Sequence, residues 1–438
     1  MIKLELASYP IRDVRFDNRT QYDHGVLLLD KEELTRLALQ DERVASANVD
    51  VAYPGEQTRI VNVADAVEPR VKVAGPGCVF PGILGPIETV GEGRTNRLSG
   101  LAVIHTVQYK PTVVSGTGAP NLGLLDMWGP VAALSPLSST INVVLSTKLV
   151  DGVSELEAHK AIQLAECRVA CRLAETTKDA SIEPESVEVF ELSAVDASLP
   201  RVVYVLGFYT EWHTPHSRAE YYGLPIRESL PTLVHPNELL DGAITTDARK
   251  GNGNYPLTWA FMNQPVVLAL LREHGKRLNF VGLILQRTRF ESEFGKQATA
   301  ACTAQLARLV GADNALITRT ISSGNNLIDV MLTVQACERK GIKTVLMTPE
   351  EGGNDGFGPA LKFYVPEAVA MVSTGNYNLD PQLPAPTKVI GCDHGQMVAL
   401  RPGEVPFSPW GEVQFERCAE IAEAVDWFGF GHATCSAH

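Results

Sequence analysis

Apolar residues recur along this chain in two rhythms, and the change of rhythm divides it. Over the first 150 residues they form short runs rich in β-branched side chains: Val71-Lys72-Val73, Ala102 to Val107, and Thr140 to Leu145. Runs of this kind, punctuated by Gly-Pro-Gly and Gly-Thr-Gly, predict strands joined by turns. Ser154 and Glu157 then precede a helical stripe of Ile162, Leu164, Val169 and Leu173. That spacing predicts a helix opened by a capping box and running to about Thr177. A further β-type run covers Arg201 to Gly207, followed by a long irregular segment.

From about residue 265 apolar strands alternate with helices. Phe280 to Leu285, Ala315 to Thr318, Lys343 to Met347 and Val369 to Val372 are strand candidates. Helical stripes fall between them, one at Ala298, Cys302, Leu306 and Leu309. The other is at Leu327, Val330, Met331, Val334 and Cys337. Gly341 suits the position just past a helix end, and Thr348-Pro349-Glu350-Glu351 reads as an N-cap with proline at the first helical position.

The expected fold is α/β: a mixed α+β amino-terminal half and a doubly wound parallel carboxy-terminal half. The expected divisions are a β-rich 1–150, a helix plus mixed region at 151–264, an α/β domain at 265–400 and an extension at 401–438. Such sheets bind ligands beyond the carboxyl ends of their strands. Here that edge carries the runs at 322–326, 352–356 and 373–376, so Asn325 and Asn376 become candidate substrate contacts.

Composition narrows the function classes. The 438 residues exceed one ordinary hydrophobic core, so two or three domains are expected. A formal charge of −13 disfavours nucleic acid and anionic membrane surfaces as partners. No charged-then-apolar leader opens the chain, and no run approaches the length of a membrane span. The eight cysteines show no paired C-x-x-C spacing, so a reduced, cytoplasmic protein is expected.

Candidate chemistry concentrates in a few places. Glu211, His213 and His216 lie close together around Pro215. Imidazole and carboxylate suit zinc, iron or nickel, so His213 and His216 are candidate ligands of a divalent metal, held by a loop. The same residues, with His235, are candidates for acid–base work. Cys392 and His394 would share one face of an extended strand. Cys167 and Cys171 stand at i and i+4 on the capped helix, and Cys78 follows Gly-Pro-Gly. Cys302 and Cys337 fit core stripes. None of the glycine-rich runs has a dinucleotide or Walker pattern.

The run Leu233 to Arg249, with its His235-Pro236-Asn237-Glu238 and Asp241-Gly242-Ala243-Ile244, resembles the processing-site segment of a known family. The family is the precursor subunit of component B of glycine, sarcosine and betaine reductases, with D-proline reductase more distant. Val67-Glu68-Pro69-Arg70-Val71-Lys72-Val73, the Gly75 to Gly82 loop, Gly91 to Leu98 and Asp126-Met127-Trp128-Gly129-Pro130 are similar too, as are His274-Gly275-Lys276 and Lys340 to Val345. The similarity covers about residues 1 to 400.

In that family the segment leads into a cysteine before which the chain cleaves, and the cysteine becomes a pyruvoyl group. Here no cysteine lies between Cys171 and Cys302, and Arg249 stands near its place. The resemblance therefore implies an uncleaved, pyruvoyl-lacking subunit of an oligomeric, heteromeric reductase. Such a subunit binds a small amine or amino-acid-derived molecule for reductive C–N cleavage by a thiol- or selenol-bearing partner. His213, His216, His235 and Glu211 are its candidate catalytic residues. Asn237, Glu238, Asp241, Arg249, Asn325 and Asn376 are its candidate substrate contacts. Two alternatives stand beside it: a substrate-presenting subunit with no catalytic side chain, and a self-contained metalloenzyme built on the histidines.

Overall fold

The computed structural model describes residues 2–430 apart from 109–119, 179–180, 194–195, 211–218, 228, 322–323, 351–362 and 377–378. Its fold is α/β. In the amino-terminal half, one sheet aligns Ser186–Glu191, Lys3–Pro10, Gly93–Ser99 and Arg70–Ala74. A second runs Gly123–Asp126, Thr58–Val67, Leu101–Gln108, Ile141–Leu149 and Val44–Ala52, with Lys388–Ile390 added beside Thr58–Val67. The helix Glu155–Glu175 begins with the expected capping box between Ser154 and Glu157. It buries residues on several faces: Ala161 and Ile162 join one core, Val169 and Leu173 another.

The carboxy-terminal half holds a sheet ordered Thr232–Val234, Asn279–Thr288, Arg201–Tyr209, Asn314–Arg319, Lys343–Glu350 and Met371–Asn376. All neighbours are parallel except Thr232–Val234. Alternation along Arg201–Tyr209 sends Val203 and Val205 to one core and Tyr204, Leu206 and Phe208 to the other. The first core is covered by helices Glu293–Leu309 and Gly324–Glu338, the second by Pro265–Glu273.

Four expectations change. Arg201–Tyr209, placed in sequence with the middle stretch, is a central strand of this sheet. One hydrophobic cluster contains Leu4, Ile162, Leu239, Leu283 and Trp427, so all four sequence divisions share a core.

The helix Glu293–Leu309 turns the opposite way from the predicted stripe. Ala298 and Cys302 are exposed, and Leu309 is 71% exposed. Its buried face is Lys296, Thr299, Ala300, Thr303, Ala304 and Ala307. Small side chains let this helix approach its neighbours closely, and Lys296 is neutralised by Asp329 at 2.7 Å.

Finally, Thr348-Pro349-Glu350 continues the strand Lys343–Glu350 and does not cap a helix. Gly341 does take the left-handed conformation expected past a helix end, at φ 79°.

Candidate functional site

The strand Ile244–Thr246 pairs antiparallel with Ala219–Tyr221, setting Glu220 opposite Thr245. Opposed residues share a face of the sheet, and here that face meets the helix Glu155–Glu175. On the helix Glu155, His159, Gln163 and Glu166 recur at intervals of four, four and three, which places them on one side. Gln163 Nε2 donates to Glu220 Oε2 at 3.2 Å and to Thr245 Oγ1 at 3.0 Å. His159 Nε2 lies 3.0 Å from Glu220 Oε1, while its Nδ1 accepts the Ala248 N–H at 3.1 Å. The acceptor role of Nδ1 assigns the ring proton to Nε2, shared with Glu220.

The next turn closes the cluster. Arg249 grips Asp247 through Nε–Oδ1 at 2.9 Å and Nη2–Oδ2 at 2.7 Å, and its Nη1 lies 3.6 Å from Glu155. Arg249 and Lys250 are both fully buried. Burial alone would push Asp247 up, but Arg249, His159 and Lys250 hold its carboxyl well below the usual range. Burial likewise opposes charge on His159. The carboxylates Glu220 and Asp247 outweigh it and raise the imidazole's basicity. The result is a histidine set between two carboxylates, able to hold or pass a proton without leaving the interior.

Behind this layer the Thr246 N–H donates to Thr258 Oγ1 at 3.1 Å, and Thr258 donates to both oxygens of Asp65. Burial pushes Asp65 up to about 7 despite those hydrogen bonds. Glu166, fully buried, has neither carboxyl oxygen hydrogen-bonded to the protein and is raised well above its ordinary value by burial and by Asp65. Just downstream, a Cβ on Gly251 would sit 2.1 Å from the Val63 carbonyl oxygen, so only glycine lets the segment pass this close to the sheet.

The motif upstream is a separate knot. Asn237 Nδ2 donates to the carbonyls of Gly91 and Phe190, each at 3.1 Å. Glu238 accepts the hydroxyls of Tyr221 and Tyr222 and the His235 N–H. Asp241 accepts Lys72, Thr95 and the Gly91 N–H. These side chains are engaged within the chain and tie the helical turn Asn237–Leu240 to the Gly91 loop. His235 is half-buried, its Nδ1 accepts the Asn237 N–H at 3.3 Å, and burial lowers it to about 4. At neutral pH it is an uncharged imidazole.

The structure therefore joins His235, Asn237, Glu238 and Asp241 in one knot and Arg249 in the helix-facing cluster. Asn325 and Asn376 lie elsewhere, the first in the opening turn of the helix Gly324–Glu338 and the second at the end of the edge strand Met371–Asn376. Glu211, His213 and His216 fall outside the described residues. Among the described residues no group of three His, Cys, Asp or Glu side chains is arranged to hold a metal.

Burial pushes the Cys392 thiol up to about 11, and His394 packs on Trp410 with ring centroids 4.9 Å apart. Cys167 is buried with its thiol raised far above the ordinary value, and Cys171 is pushed up to about 11. Sequence reasoning passed over Glu155, His159, Gln163, Glu166, Glu220, Asp247 and Lys250. The legible signal was the polar row at helical spacing on a helix that also carries an apolar stripe.

A family profile described as glycine/sarcosine/betaine reductase component B subunits matches residues 2–417. The sarcosine reductase complex component B subunit alpha of Peptoclostridium acidaminophilum is 36% identical over 400 residues, 89% of each chain. The glycine reductase complex component B subunits alpha and beta of the same organism are 31% identical over 445 aligned positions, spanning both chains in full. The corresponding glycine reductase protein of Acetoanaerobium sticklandii is 34% identical over 396 residues, again 89% of each chain. No solved structure matches. The chain belongs to the family of glycine/sarcosine/betaine reductase component B subunits.

Proposed function

We propose that this chain works uncleaved, as the substrate-binding subunit of a reductase complex, holding a small amine or amino-acid-derived molecule. A thiol- or selenol-bearing partner then carries out reductive C–N cleavage. One observation carries the reading: Arg249, near the place of the family's cysteine, is locked to Asp247 in a buried ion pair. Pyruvoyl formation requires a Cys or Ser side chain to attack the preceding carbonyl, followed by elimination from the resulting ester. Ile244 to Gly251 contains neither residue, and the Thr245 hydroxyl already accepts a hydrogen bond from Gln163. Without a keto group the substrate is held by noncovalent contacts alone.

The partner's docking face is proposed around exposed Leu224, Leu230, Leu233, Phe290 and Phe294. Arg287, donating to the Ser229 carbonyl, and Arg289, donating to that of Arg227, draw these two segments side by side. Interface centres favour such apolar and aromatic side chains. A divalent metal at His213 and His216 is a separate reading, tested by metal analysis of the purified protein.

The test is intact-mass spectrometry combined with a carbonyl reagent. A single species near 47.5 kDa that forms no hydrazone is expected. Two fragments split between Thr245 and Arg249, one carrying a keto terminus, would overturn the reading.

A further inference from the structure

The outward face of the helix Glu293–Leu309 is built like an inward one. Phe294, Ala298, Ala301, Gln305 and Leu309 recur at intervals of four, three, four and four, which lines them up on one side. That side lies opposite the buried row of Lys296, Thr299, Ala300, Thr303, Ala304 and Ala307. Phe294 is 80% exposed and Leu309 71%, with exposed Cys302 beside the row. A helix with one face on the core ordinarily turns charge to solvent. Here the charged residues among seventeen are Glu293, Lys296 and Arg308, and Lys296 turns inward to Asp329. An apolar row of this length, large at its ends and small in its middle, marks a surface that another chain covers.

The order of residues selects the occupant. Turned end for end about the point between Ala301 and Cys302, a second copy of the helix sets Leu309 opposite Phe294, Gln305 opposite Ala298 and Cys302 opposite Ala301. The row is its own complement, as an isologous two-fold contact requires. Charge agrees with it. Exposed Glu293 and Arg308 flank the same side of the row. A two-fold axis keeps that flank against its own copy, so Glu293 of each copy falls about 3 Å along the axis from Arg308 of the other. A parallel pairing would set each charge level with its own copy instead. The whole chain carries −13, which drives copies apart, but this face holds one charge of each sign. Cys302 lies on the other flank, next to the axis. Helix axes about 8 Å apart, which small residues permit, bring its two Cα atoms to about 6 Å, within reach of a disulfide.

We propose that two copies of this chain pair through antiparallel contact of the helix Glu293–Leu309, with Cys302 beside the two-fold axis. The seam runs about 25 Å, a modest interface with a dissociation constant on the order of micromolar. Phe294 also belongs to the partner face proposed above, so the two surfaces adjoin there. Leu309, Cys302 and Arg308 belong to the seam alone, and the test rests on them. The pairing depends neither on an uncleaved chain nor on the partner's chemistry.

Sedimentation velocity of the full chain, from about 0.1 to about 100 μM, brackets the expected dissociation constant. A species at twice 47.5 kDa is expected at the upper end. Leu309→Asp buries an unpaired charge in the seam and should weaken the dimer at least about tenfold, with the circular dichroism spectrum unchanged. Arg308→Glu should weaken it about fivefold, and the exchange Glu293→Arg/Arg308→Glu should restore it. Diamide accepts two electrons and two protons as two thiols join. It should give a covalent dimer on a non-reducing gel, and Cys302→Ala should abolish that dimer.

A chain that stays monomeric throughout the series, or a dimer indifferent to Leu309→Asp and not linked through Cys302, would overturn the proposal. Loss of partner capture by Leu309→Asp in a monomeric chain would overturn it in that partner's favour. If Leu309→Asp misfolds, the charge exchange and the Cys302 link still decide. Because chain integrity is read by mass, a cleaved chain would overturn the uncleaved reading without touching this one.

Discussion

Arg249 and Asp247 form a closed two-point ion pair, Nε to Oδ1 at 2.9 Å and Nη2 to Oδ2 at 2.7 Å, with neither side chain reaching solvent beyond 2%. A stretch that holds no cysteine between Cys171 and Cys302 is thus closed here by an internal clasp. The clasp holds the Ile244–Thr246 strand and the following turn against the helix Glu155–Glu175. Its partners Glu155 and His159 come from that helix, so local chain geometry and tertiary packing are coupled at this point.

Removing one member of the clasp leaves the other charged and buried. Arg249→Met is expected to cost about 3–5 kcal/mol, the range for breaking a buried pair from one side. The double variant Asp247→Asn/Arg249→Met should recover much of that loss, since both charges are then gone. Urea denaturation of the two variants measures this. A single variant within about 1 kcal/mol of the parent would show that the pair is not structural.

Glu166 is the opposite case, a carboxyl whose oxygens receive no hydrogen bond from the protein. Glu166→Met keeps the approximate shape and removes the burial cost, so a stability gain of about 1–3 kcal/mol is expected. Thermal melts and urea curves read it. A loss of stability would mean that the carboxyl is satisfied and contributes to the fold. A gain accompanied by loss of complex activity would assign Glu166 a functional role.

Asp65 and Glu423 are raised to about 7 and about 8, chiefly by burial. A carboxyl raised in the folded state binds its proton more tightly there than when unfolded. The stability this contributes is fully present below its unfolded value near 4 and is lost as pH rises through the folded value. The protein should therefore lose stability between about pH 4 and pH 8, with a slope of at most about 1.4 kcal/mol per pH unit from each group. Glu423→Gln keeps an acceptor for the Leu257 N–H and should flatten the upper part of that slope. Denaturation curves at pH 5, 6, 7 and 8 test this, and an unchanged slope would remove Glu423 as its source.

Much of the fold was legible because short-range physics dictated it. The capping box at Ser154 and Glu157, the β-branched runs and the helix stripe at Leu327, Val330, Met331, Val334 and Cys337 all appear where periodicity places them. The stripe on Glu293–Leu309 misled. Period alone cannot tell which face of a helix meets the sheet, and here close packing selected Ala and Thr over Cys302 and Leu309. Thr348-Pro349 matched a helix start locally, while pairing with Met371–Asn376 carried the strand through it.

What the amino-acid sequence determined unaided is the family, the alternation of strands and helices, and the absence of a cysteine between Cys171 and Cys302. Those follow from residue identity and from spacing along the chain. Tertiary structure alone decided that Asn237, Glu238 and Asp241 tie a turn to the Gly91 loop. It alone brought His159, Glu220 and Asp247 together from three separate segments. It alone left the Glu166 carboxyl buried without a hydrogen bond from the protein. Each of these depends on contacts between residues 60 or more positions apart or on burial, and neither is written in local spacing: desolvation and through-space charge act only once the chain has closed on itself.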